Sequence, residues 1–225
     1  LSPLKYVHAD FPFRQEGSLQ NLFKVLIHDG CFLVLAHPNS RLETEGPHKG
    51  KQLWSSSGYV YSELDMIFGN KEKRVPPMKY VPHALEIGNR GYDFSERTGY
   101  INAEEKWDYL LAQGHRVWGT ASDDSHGNTP KEGWIVVYTR AEKRSQLELG
   151  DVMQSLFQGN FYASQGPVME IGLKGTVLTI STDHPSLSEF MSEKGVIKSV
   201  EKSLTARYPF TGDEIYVRAR VTRTD

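Results

Sequence analysis

The sequence predicts an α/β protein that gives way to a β-rich C-terminal segment. Two observations carry this expectation. Short apolar runs such as Cys31 to Ala36 alternate with amphipathic helical patterns and have the two-sided character of parallel strands covered by helices. From about Val168 the rhythm changes to strands alone. The expected division is an α/β part over 1–167 and a small β-rich domain over 168–225.

Composition narrows the function classes. Of the 225 residues 38% are hydrophobic and 24% charged, which suits a folded chain rather than a disordered one. The net charge of −2 gives no electrostatic footprint for nucleic acid. A single cysteine, Cys31, excludes an internal disulfide framework. No run approaches the roughly 18 apolar residues of a membrane span, so a soluble chain is expected, cytoplasmic and exported locations being equally compatible. Because it begins at Leu1 and stops inside a strand-like pattern at Asp225, a fragment or processed form is expected. Oligomeric state has no signature here.

Taken in order, Tyr6 to Asp10 reads as a short extended stretch containing His8. Ser18 is then placed to cap a helix with apolar positions Leu19, Leu22, Phe23, Leu26 and Ile27, ended by Gly30. His28 in its last turn is a cation near a helix C-terminus. The strand Cys31 to Ala36 ends in His37-Pro38-Asn39, and strand parity puts Leu33, Leu35 and His37 on one side. In parallel α/β folds that end collects ligands and catalytic groups; the alternative is a histidine opening a turn before proline. Residues 38–83 are irregular apart from a short helix over Ser62 to Phe68, and form a candidate substrate-covering loop whose Arg41, His48, Lys49 and Lys51 are either anion contacts or solvated charges.

Ala84 to Gly88 reads as a further strand, with Glu86 opposite Leu85 and Ile87. An inward carboxylate is costly unless paired or metal-bound, so Glu86 is either a site residue or an exposed acid on a half-buried edge. Asn89 and Arg90 open the next loop, where Arg90 or Arg97 is a candidate to face substrate. Asn102 with Glu105 resembles a capping box for a helix through Trp107, Leu110 and Leu111, ended by Gly114. His115 precedes the next strand and reads as structural.

That strand, in Val117 to Gly127, breaks into two acids, a serine and a histidine. Alternation puts Trp118, Thr120, Ser122, Asp124 and His126 on one face, so Asp124 and His126 are placed to grip one ion, of the borderline type that takes oxygen and nitrogen ligands together. The alternative is a turn or helix cap, since Asp and Ser bond nearby amides. Then follow a strand over Trp134 to Tyr138, a helix capped by Asp151 and ended by Gly159, a hairpin of Val168–Leu173 with Thr176–Ser181, a turn containing His184, and a strand over Ile215 to Thr222.

Together AHPN, ALEIGN, WDYLLAQG, VWGTASDDSHG, GWIVVYT and the GDVMQSLFQGNFYASQGP segment resemble the PHP family, named after polymerase and histidinol phosphatase domains, over about residues 1–170. The resemblance implies a distorted (β/α)7 barrel holding two or three divalent ions (zinc, manganese, iron or magnesium) at the C-terminal ends of its strands, with a β-rich appendage. It implies a metal-dependent phosphoesterase acting on a small phosphorylated substrate. His37 is similar to the family's His-Pro ligand, Asp124 and His126 to its closing Asp-x-His pair with catalytic roles, and His8 to an earlier histidine motif. Asn39, Glu86, Asn89 and Arg90 then stand near the site. Clustered ions would generate hydroxide from bound water and hold phosphoryl oxygens for in-line attack, and a histidine or aspartate would protonate the leaving group. The family's opening His-x-His occurs nowhere in the chain, which predicts an N-terminally incomplete barrel or a member with fewer metals. Two further readings remain: a catalytically incomplete binding module, and a hydrolase of non-phosphate bonds.

Overall fold

A computed structural model of the chain describes residues 16–36, 38, 59, 61–89, 103–123 and 133–224. Within them a three-stranded parallel sheet is built from β1 (Val34–Leu35), β2 (Ala84–Asn89) and β3 (Trp118–Ser122), in that spatial order. The helix α2 (Tyr61–Phe68) falls between β1 and β2, and α3 (Glu104–Ala112) between β2 and β3. Each helical crossover returns the chain to start the next strand in the same direction, as parallel pairing demands. α1 (Glu16–His28) precedes β1.

The helices cover one face of this sheet. Leu19 and Phe23 of α1, Leu64, Ile67 and Phe68 of α2 and Leu110 of α3 close over Leu35 and Leu85. Their spacing is the i, i+3/i+4 stripe that a helix needs to bury one side. α2 and α3 are also joined by Asp65, which is buried and accepts hydrogen bonds from Asn70 Nδ2 (2.8 Å), Tyr109 OH (2.6 Å) and Lys73 Nζ (2.7 Å). Burial raises the Asp65 pKa, but the bonds from Lys73, Tyr109 and Asn70 outweigh it and hold the carboxyl below its usual range.

Beyond β3 the plan changes. β4 (Trp134–Val137) and β5 (Phe161–Ser164) pair antiparallel although α4 (Leu149–Gln158) lies between them. The excursion leaves and re-enters at one end of the pair: Tyr138 N donates to Asn160 O at 2.9 Å, and Ser155 Oγ of α4 to Tyr138 O at 2.6 Å. Gly159 ends α4 in the left-handed conformation (φ 77°), and a β-carbon there would stand 2.4 Å from the Trp118 ring.

The last strands are β6 (Met169–Lys174), β7 (Val177–Ser192), β8 (Val196–Pro209) and β9 (Arg218–Arg223). β7 pairs antiparallel with β8 along its length, and on its other edge with β6 first and β9 later. Ile180, Phe190, Ala206 and Tyr208 form the core, with the Phe190 and Tyr208 rings stacked at 5.3 Å.

The expected (β/α)7 barrel is therefore corrected. The described residues hold four α-helices and nine strands in three small sheets, of which one alone is parallel. A barrel needs every strand to be parallel and joined by crossovers; β4, β5 and β6 to β9 are antiparallel. Smaller differences concern ends. Ser18 and Asp151 lie within the first turns of α1 and α4 rather than ahead of them. Asn102 lies outside the described residues, and Ala103 precedes α3 without a side-chain capping bond. His184, expected in a turn, lies within β7.

A buried ion network ties β9 to α3. Arg218 donates to Asp108 through Nε and Nη2, both at 2.7 Å, and its Nη1 lies 2.7 Å from Glu104 Oε2. Tyr216 OH donates to Asp108 Oδ1 at 2.8 Å, and the guanidinium lies over the Trp107 ring. Burial, with the Asp108 carboxylate beside it, pushes the Tyr216 pKa up to about 12.

Candidate functional site

The parallel order brings three strand ends side by side. Leu85 pairs with Leu35 and Gly119, and Asn89 pairs with Ser122. β1 is followed by Ala36 and then, in sequence, His37; β3 is followed by Asp123 and then Asp124. His8, His37, Asn39, Arg90, Asp124 and His126 lie outside the described residues, as do Arg41, His48, Lys49, Lys51 and Arg97. For Asn89 only the backbone is described.

Glu86 is described and is not an exposed edge acid. It is 6% exposed, and Ser122 Oγ donates to its Oε1 at 2.5 Å. Strand alternation explains the pairing. Glu86 lies opposite Thr120, and Ser122 is two residues further along β3, on the same face. The other face is apolar and tight. A β-carbon on Gly119 would stand 2.8 Å from Ile87 Cδ1 and 3.1 Å from the Trp107 ring, so α3 packs closely on the sheet there and a side chain would make both neighbours shift. Between Glu86 and Gly88 the register shifts by one residue, so that Gly88 opposes Ala121 and Asn89 opposes Ser122. Bulges of this kind change which residues share a face at a strand end.

A second charged group enters from α3. Lys106 is 8% exposed and its Nζ donates to Pro38 O at 2.6 Å. The same carbonyl accepts from Tyr59 N at 2.8 Å, and Pro38 itself is fully buried. Sequence reasoning missed Lys106. The available signal was its place on the α3 stripe with Ala103 and Leu110, both buried, where a lysine must find a partner.

The opposite end of the sheet is aromatic. His83, just before β2, stacks on Phe32 at 5.2 Å and meets Phe157 edge-on at 5.0 Å. Leu33 N donates to its Nδ1 at 3.0 Å, and burial lowers its pKa. His115 Nε2 lies 3.0 Å from Gly69 O, in keeping with a structural role, while the His28 side chain is 88% exposed.

A cavity of about 400 Å³ opens on the helix-covered side of the strand ends, between Ile87, Gly88, Trp107, Gln165, Met169 and β9. Its Arg218 and Arg220 are already engaged by Asp108, Glu104 and Glu189. Among the described residues no group of three or more His, Cys, Asp or Glu could hold a metal ion. Glu86 is a buried carboxylate near the strand ends, and in sequence His37 and Asp124 each stand two residues beyond the ends of β1 and β3.

The fold thus defines a mixed α/β protein, with a parallel sheet whose C-terminal edge is its candidate site. No protein-family model, curated protein or solved structure matches the chain. Among the described residues no helix is long and apolar enough to cross a membrane.

Proposed function

We propose that the protein is a metal-dependent hydrolase, acting on phosphoric esters at the C-terminal edge of β1, β2 and β3. The observation that carries this reading is the adjacency of those strand ends around the buried Glu86 carboxylate. In sequence, His37, Asp124 and His126 follow directly from the outer two strands. The similarity of these residues to PHP-family motifs supplies the reaction class.

In this reading His37, Asp124 and His126 hold a divalent ion, with His8 as a further ligand. The ion supplies an activated water and a Lewis acid for the phosphoryl oxygens. A histidine or aspartate beside the ion, not one of its ligands, would protonate the leaving oxygen, and Asn39, Asn89 and Arg90 would lie beside the substrate. Glu86 adds negative charge to the rim and is held by Ser122.

The test is elemental analysis of the purified protein, followed by assays on phosphate monoesters and diesters with added manganese or zinc. Asp124→Ala should abolish hydrolysis and lower bound metal at least tenfold. An unchanged rate in Asp124→Ala refutes the assignment.

A further inference from the structure

We propose that the cavity between the parallel sheet and β9 binds a small organic carboxylate with an apolar body. The site stands apart from the metal-dependent reading above, since none of the ligands named there lines it. At about 400 Å³ it has the size of a small-molecule site, and like many such sites it lies where separately built parts of a fold meet. Ile87, Gly88, Ala121 and Trp107 line it from the α/β part, and Ala219 and Val221 from β9. Gly88 keeps part of this space open. A β-carbon there would stand 3.6 Å from Ala121 Cβ and 3.9 Å from Gln165 Nε2, both ordinary contacts, and the backbone lies outside the left-handed region. Neither local packing nor conformation therefore demands glycine at this position, and the missing side chain leaves room for a ligand.

The polar groups around the cavity are unequally engaged. Arg218 holds Asp108 through Nε and Nη2 and Glu104 through Nη1. Arg220 holds Glu189 through Nε at 2.8 Å and lies 3.5 Å from Glu104 through Nη1, and its Nη2 has no hydrogen-bond partner among the described residues. The same is true of the Gln165 amide and the Thr222 hydroxyl, which belong to exposed residues that line the cavity. All three groups can donate, and an ionised carboxylate is acceptor-only. Its bond to the guanidinium would be charge-assisted and so of the stronger kind. The charges decide between anions. Arg218, Arg220 and Arg223 line the cavity with Glu104, while Asp108 and Glu189 stand against two of the arginines, so cations and acids balance. A phosphate dianion would meet Glu104 without a surplus cation, whereas a single carboxylate asks for little more than the donors present.

NMR titrations of the full chain in metal-free buffer test the site, with naphthoate, naphthamide and naphthyl phosphate as probes that share one apolar body. Naphthoate should shift the backbone amides of Gly88 and Ala121 and the side-chain amide of Gln165 saturably, and should bind at least tenfold more tightly than either other probe. Gly88→Val, whose side chain would enter the cavity, should abolish those shifts. Arg220→Met should weaken naphthoate at least tenfold and naphthamide less than twofold, which separates loss of the guanidinium from a general loosening of the cavity. Gln165→Leu, at an exposed position, should weaken naphthoate at least threefold and carries the test if Gly88→Val does not fold. Shifts that do not saturate, or naphthoate affinity unchanged in these variants, overturn the site. Naphthamide or naphthyl phosphate binding as tightly as naphthoate overturns the carboxylate as its ligand.

Discussion

Replacing Arg218 by methionine removes the cation on which β9 and α3 converge. Its side chain is 7% exposed and that of Asp108 6%, so neither charge can turn to bulk water when the other is lost. The substitution deletes two 2.7 Å bonds to Asp108 and the 2.7 Å ion pair with Glu104. Glu104 keeps Arg220 at 3.5 Å, whereas Asp108 keeps the Tyr216 hydroxyl. Hydrogen bonds to charged groups contribute roughly 1.5–3 kcal/mol each, but two made by one guanidinium are not independent. Stranding one partner of a buried pair costs about 3–5 kcal/mol, so about 4 kcal/mol is expected here. With a urea m-value of about 2.5 kcal/mol/M, the midpoint should fall by about 1.5 M. Combining Arg218→Met with Asp108→Leu should recover much of the loss, because the stranded carboxylate is then gone. A shift below about 0.5 M, or a double variant whose loss is the sum of the two singles, refutes the claim that this pair is a desolvated, mutually dependent unit.

Asp65 makes a pH-dependent contribution. Its folded pKa is depressed, so its stabilisation is fully present above the ordinary value of 3.8 and is lost as pH falls through the lower folded value. The stability gap between wild type and Asp65→Asn, measured by urea unfolding, should therefore shrink on going from pH 5 toward pH 2; a constant gap contradicts the assignment. His83, buried among aromatic rings, should titrate below 6.5 in an NMR pH series, and its neutral form should favour the fold as pH rises; a value above 6.5 is the contrary result. Gly159→Ala forces a side chain into left-handed backbone and against Trp118. It should cost about 3 kcal/mol and red-shift tryptophan emission, and an unchanged melting temperature would show that the ring yields freely.

Much of the α/β half was legible because period and length agree there. The stripes of α1 and α3 and the short helix α2 lie within a few residues of where apolar spacing placed them. The barrel was what the family resemblance implied, and β4 and β5 show where it fails. The strand Phe161–Ser164 was not among the expected elements, and periodicity does not say at which end a helical excursion comes back. Here Tyr138 N meets Asn160 O, so the excursion closes on itself and the strands run antiparallel. The long β7 was hidden by Asp183-His184-Pro185, a turn-like sequence. The ladder with β8 skips from Ser181 to Ser186, and in the gap Thr182 Oγ1 and Ser186 Oγ donate to His184 O at 2.8 and 2.9 Å. Proline has no N–H to offer the ladder, and it sits where the ladder asks for none.

For the candidate site, alternation set Glu86 opposite Leu85 and Ile87 but left open whether its face is buried; the pairing of β2 with β3 decides that, placing Glu86 beside Thr120 and Ser122. Parity fails one step later. Strict counting from the Glu86–Thr120 pair would set Gly88 opposite Ser122, whereas the register shift puts Gly88 opposite Ala121 and gives Ser122 to Asn89. Lys106 lay further out of reach, since its partner is a backbone carbonyl 68 residues away and a carbonyl carries no side-chain signature. What sequence does offer at such a position is a contradiction: a charged residue on the same helical stripe as Ala103 and Leu110. A buried charge with no partner would unfold the helix packing it sits in, so the contradiction itself implies an acceptor, and the strand end nearest that stripe is where to look for it.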